Sequence, residues 1–168
     1  MSKVQFKVND MVIYPAHGVG QILAVEAQKI GGFDIEVYAV SFLKEKMTLR
    51  VPVSRAVASG LRALSSKTEL DSIIEIMQGK PKNTKGMWSR RAKEYDTKIN
   101  SGILSEIAEV IRDLHRNVED NPDCSYSERM VYESALSRFV AEFAAINNMS
   151  MEQAHDEVIA ILRSRIAA

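Results

Sequence analysis

The sequence predicts an α+β chain of two domains, a small antiparallel β module over residues 1–64 and a compact all-α module of about five helices over 65–168. Three observations lead there. Up to about residue 65, short runs rich in Val, Ile, Phe and Tyr are punctuated by glycine and proline. Beyond it the apolar spacing becomes three and four. Each of three apolar stripes beyond it is opened by a serine three residues ahead of Glu or Gln, the pattern of a capped helix start.

In the first half the candidate strands are MVIYP (11–15), VGQILAVEA (19–27), FDIEVYAVSF (33–42) and MTLRVPV (47–53). Ile35, Val37 and Ala39 alternate with Glu36, Tyr38 and Val40, the period of a half-buried strand. Gly31-Gly32 between the second and third runs marks a tight hairpin, because glycine enters positive φ without penalty. Pro15, Gly18 and Gly20 punctuate the first connection. Pro52 lacks an amide donor, so its strand belongs near an edge. Four or five short strands in about 60 residues make a barrel of SH3 or Tudor size.

In the second half, Ser66-x-x-Glu69 opens a helix with Leu70, Ile73, Ile74 and Met77 on one face, stopped by Gly79 and Pro81. Ile103, Ile107, Val110, Ile111 and Leu114 form a stripe starting at Ser101. Ser125-x-x-Glu128 opens a helix carrying Leu136, Phe139, Val140 and Phe143, and Ser150-x-x-Gln153 opens one carrying Ala154, Val158, Ile161 and Leu162. Residues 84–100 have helical composition without a strong apolar stripe.

Function classes narrow by elimination. The three histidines, His17, His115 and His155, have neither the spacing nor the cysteine partners of a zinc site. Cys124 is the single cysteine, which excludes an internal disulfide and fits a reducing compartment. It precedes a helix start, where a thiol can be activated, but no histidine is identifiable as its base. Glycine-rich phosphate loops are missing too, and no cofactor, metal or small-molecule substrate is expected. The N-terminus lacks a secretory pattern, and no apolar run reaches the ~18 residues of a membrane span, so the expected location is cytoplasmic. The chain reads as a non-enzyme.

Charge is more informative. The 22 basic and 22 acidic residues cancel, yet residues 80–116 carry +4 and residues 117–168 carry −5. Within the basic part, KPKNTKGMWSRRAKEYDTK (80–98) places Trp88, the only tryptophan, among seven cations. A helix starting near Thr84 to Gly86 puts Trp88 in its first turn, with Arg91, Ala92 and Tyr95 on the same side and Arg90 and Lys93 to either side. Two readings stay open on residue types alone. The indole is a wedge for nucleic acid at a cationic helix N-terminus, or it is a core plug with arginine packed over it.

The opening FKVNDMVIYPAHGVGQI, the strand TLRVPV, and WSRRAKEY followed by IAEVIRDLHR resemble the CarD/CdnL family of bacterial transcription regulators over nearly the whole chain. The β module also resembles the polymerase-interacting domain of transcription-repair coupling factor. The resemblance implies a Tudor-like domain (1–64) that grips the β subunit of RNA polymerase and a helical domain (65–168) that touches promoter DNA at the upstream edge of the open bubble. By position it implies polymerase contacts at Arg50 and its strand neighbours Thr48, Leu49, Val51 and Pro52. On the DNA side it implies Trp88 in the minor groove, with Lys85, Arg90, Arg91, Lys93 and Arg129 as cations. The chain departs from the family at Asn9, usually glycine, and at Gln28, where some members are basic. The open complex would thereby be stabilised, largely by DNA shape. The alternative is a polymerase-associated adaptor whose helical domain binds another protein, and exposure of Trp88 separates the two.

Overall fold

The structure is a computed structural model describing residues 6–42, 45–81, 86–119, 121 and 123–164, without the side chains of residues 116 and 117. The chain divides into two compact units, 1–64 and 65–168.

The first unit is a five-stranded antiparallel sheet. Its strands are β1 (Met11–Tyr14), β2 (Gly18–Ile30), β3 (Phe33–Phe42), β4 (Met47–Pro52) and β5 (Arg62–Ala63), in the order β4-β3-β2-β1-β5. The long β2–β3 hairpin turns at Gly31 and Gly32, with φ of 58° and 82°, and is closed by the pair Ile30 and Phe33. Positive φ at both central residues matches the strands' own twist. Gly20 is required for a different reason. A Cβ there would lie 2.7 Å from Val40 and 2.8 Å from Phe42, inside the core. Asn9 adopts φ 77°, a conformation that asparagine tolerates better than most residues. β4 is an edge strand, as Pro52 indicates.

The unit's core gathers Phe6, Val12, Ile22, Tyr38, Val40, Phe42 and Val51. The expected alternation in β3 holds as far as Glu36 and then stops, because Val37, Tyr38, Ala39 and Val40 are all buried. Tyr38 and Val40 face the core. Val37 and Ala39 share the opposite face with Glu26 of β2 and Arg50 of β4, which lie directly across from them. A second difference concerns Val53, which the sequence places in a strand. It begins a one-turn helix, α1 (Val53–Ala56), packed on β3 and β4.

Among its described residues the second unit holds five helices: α2 (Lys67–Gln78), α3 (Trp88–Asn100), α4 (Leu104–Glu119), α5 (Tyr126–Asn147) and α6 (Met151–Arg163). Ser66 and Ser150 form complete capping boxes with Glu69 and Gln153, and Ser125 accepts the Glu128 amide. Two boundaries differ from the sequence reading. α4 starts at Leu104, which is buried, while Ile103 is half exposed. Ser101 instead terminates α3, its hydroxyl donating to the Lys98 carbonyl and accepting from the Ile103 amide. The second boundary is the start of α3 at Trp88 behind Met87; Thr84 and Lys85 lie outside the described residues. α3 has only a narrow apolar stripe, in keeping with its composition, ending in the buried Tyr95 and Ile99.

The helical core is built from α4 and α5, with Ile107, Ile111 and Leu114 against Leu136, Phe139 and Phe143. Glu142 is buried in it, accepting the Ser65 amide at 2.9 Å and so tying down the start of the unit. No helix among the described residues is long and apolar enough to cross a membrane.

Candidate functional site

Trp88 is the first residue of α3, behind an exposed Met87 at the N-cap. That position leaves the indole half-buried. One part of the ring packs against the helical core and stands 6.2 Å from the Tyr95 ring. Its Nε1 donates to Ser127 Oγ at 3.1 Å, near the start of α5. Arg91, one turn on, lies 5.6 Å from the Trp88 ring centroid and 5.8 Å from that of Tyr95, and its Nη2 donates to the Tyr95 hydroxyl at 3.3 Å. The indole is therefore held at its rim and along one side, while the rest meets solvent. Arg90 and Lys93 are exposed on the same helix. A flat, fixed apolar ring with a guanidinium beside it at a helix N-terminus is chemically suited to a groove of nucleic acid. Lys85 lies outside the described residues.

Arg129 is not brought to the indole. It sits two residues after Ser127, which on a helix is nearly the opposite face. Its Nη2 donates to Cys124 Sγ at 3.5 Å. It also lines a half-open groove of about 530 Å³ whose acidic residues are Glu119, Glu133 and Glu152. Sequence alone could not separate Arg129 from the cations of α3, because α5's angular setting depends on the packed bundle.

On β4 the pleat sorts the five expected contact residues. Thr48 and Arg50 are exposed and share a face with the half-buried Pro52, whereas Leu49 is half-buried and Val51 is sealed in the core. Val51 thus presents no side chain to a partner, a correction that follows from strand alternation. Arg50 Nε donates to Glu26 Oε2 at 3.1 Å, reaching over β3 to β2. Glu26 was not legible as its partner, being 24 residues away and dependent on register. An exposed pair of this kind contributes little, about 0–1 kcal/mol, so Arg50 is easily released to another carboxylate.

His17 and His115 go to separate structural tasks. His17 lies 2.8 Å from Glu45 and stacks on Tyr14. His115 is buried, its Nδ1 2.7 Å from the Tyr132 hydroxyl. Burial, reinforced by the Glu119 charge, pushes the Tyr132 hydroxyl far above the ordinary tyrosine range, so it stays neutral.

Residues 72–159 match the family model for the CarD C-terminal domain, and residues 6–65 match that for the CarD-like/TRCF RID domain. A protein of Bacillus subtilis (strain 168) named "Putative transcription factor YdeB" is 28% identical over 148 residues, which cover 88% of this chain and 96% of that protein. The two matched segments take in the Arg50 face and the Trp88 site in one chain, and with more than half of the sequence under the first model, the chain belongs to the CarD family of transcription regulators.

Proposed function

We propose that this protein regulates transcription by joining two surfaces. The β unit binds the β subunit of RNA polymerase through Arg50, Thr48 and Pro52 on its edge strand. The helical unit stabilises the promoter open complex by seating Trp88 in the minor groove at the upstream edge of the bubble, with Arg90 and Lys93 on the flanking phosphates. Arg91 acts by holding the indole.

The observation that carries the reading is the state of Trp88. It is a half-open indole at the first residue of a helix, held by Ser127 and Arg91, in the most basic part of the chain. A core plug would be closed off like Tyr95 beneath it. The β unit's resemblance to a polymerase-interacting domain type supports the other half.

The mechanism is differential binding. A ligand shifts the closed-to-open equilibrium only by its preference for one state. A kinked, widened groove admits an indole, whereas regular duplex must first be unstacked at a cost of about a few kcal/mol. A preference of ~1–2 kcal/mol raises a minor open state about five- to thirty-fold. Few phosphate contacts give weak binding to free DNA, so tethering through polymerase supplies the effective concentration.

The test is the lifetime of polymerase–promoter complexes after competitor challenge. Trp88→Ala should abolish the lengthening produced by the wild-type protein while costing about 1–2 kcal/mol of stability, well below a fully buried aromatic. Unchanged lifetimes would sink the wedge. Arg50→Glu should reduce capture of the β subunit more than tenfold, since the new carboxylate faces Glu26 and repels whatever anion Arg50 meets; unchanged capture would refute the β4 contact.

A further inference from the structure

We propose that Tyr126, the first residue of α5, is a second DNA-contacting ring that packs on an unstacked base or deoxyribose beside the one met by Trp88; the proposal rests on the wedge reading of Trp88. The bond from Trp88 Nε1 to Ser127 Oγ, across 39 residues of sequence, lays the start of α5 against the start of α3. Tyr126 immediately precedes Ser127 and is 77% exposed, as is Met87 immediately before Trp88. Tyr126 lies outside both apolar cores. A tyrosine that exposed forgoes most of the stabilisation its ring could give the fold. Met87 and Tyr126 thus adjoin in sequence the two residues of the Trp88–Ser127 bond, and the exposed cations Arg90 and Lys93 follow Trp88 on α3.

Local charge decides what Tyr126 meets. Asp123 and Glu128 outnumber Arg129 around it in sequence, so the start of α5 offers phosphate no net attraction. The ring is left to the uncharged parts of the nucleic acid. At a bubble edge these are the faces of unpaired bases and the sugars, on which aromatic side chains stack irrespective of sequence. Trp88 and Tyr126 thus divide the contact: one ring enters the groove with cations behind it, and the other covers the adjoining unstacked nucleotide.

The experiment uses the full chain with polymerase and promoter DNA. Tyr126→Ala should shorten the competitor-challenged lifetime about fivefold or more, with an unchanged thermal midpoint, and Tyr126→Phe should stay within about twofold of wild type. If Tyr126→Ala matches wild type while Trp88→Ala does not, Tyr126 is idle and the inference fails alone. If neither variant shortens the lifetime, the wedge reading fails with it. A photoreactive phenylalanine at position 126 should crosslink to promoter DNA, and crosslinks confined to polymerase subunits would instead make Tyr126 a protein contact.

Discussion

α3 and α4 are consecutive helices of similar length, 13 and 16 residues, and they do opposite work. α4 buries Leu104, Ile107, Ala108, Val110, Ile111, Leu114 and Val118 along its length, and even its polar Arg112 and Asp113 pair with each other inside, at 2.9 Å. α3 buries two residues, Tyr95 and Ile99, both in its second half. α4 is the frame. α3 is fastened by its C-terminal half and leaves its N-terminal turn, with Trp88, at the surface. In a small helical unit, the helix with the weaker apolar stripe can give its remaining side chains to a partner.

The largest effect expected from this contrast is on stability. Leu114 is fully buried between α4 and its neighbours, so Leu114→Ala should cost about 2–5 kcal/mol, read as a lowered urea midpoint. A loss below about 1 kcal/mol would mean that α4 is no more essential to the frame than α3. Arg91→Ala sits in between. It removes the guanidinium shared by Trp88 and Tyr95, worth about 0.5–1 kcal/mol at such a site, and leaves the core untouched. Its expected signature is a small stability change with a severalfold shorter open-complex lifetime, because the indole loses its stay. Equal losses in both measurements would show Arg91 to be structural alone.

How much of this was legible in the sequence follows from the range of each interaction. The capping boxes at Ser66 and Ser150, and the Gly31-Gly32 turn, involve residues within a few positions of one another, and they could be read directly. The one-turn α1 could not, because four residues carry no helical period and packing on β3 decides their conformation. Ile103 matched the stripe of α4 by spacing, yet Gly102 at φ 72° breaks the chain just before it and turns Ile103 outward. At the site, the same rule divides the residues. The Trp88–Arg91–Tyr95 arrangement is one and two turns of a single helix and was foreseeable. The anchors Ser127 and Glu26 come from other elements, and the burial of Val51 and the separation of Arg129 from the indole depend on how those elements pack.

The smallest expected effect tests the fastening itself. Lys98 Nζ lies 2.8 Å from Glu109 Oε2, joining the last turn of α3 to α4, with each side chain about a third exposed. The ammonium there also faces the negative end of the α3 dipole. Lys98→Met keeps the aliphatic stem and removes the charge, so the change isolates electrostatics from packing. It should cost about 0.5–1 kcal/mol at low ionic strength. The cost should shrink in 1 M salt, where screening acts over about 3 Å. Because Tyr95 and Ile99 remain to hold that half of α3, the Trp88 end should keep its position and the open-complex lifetime should be unchanged. A shortened lifetime at unchanged stability would mean that the pair sets the angle of the whole helix, and the division of α3 into a held half and a presenting half would have to be given up.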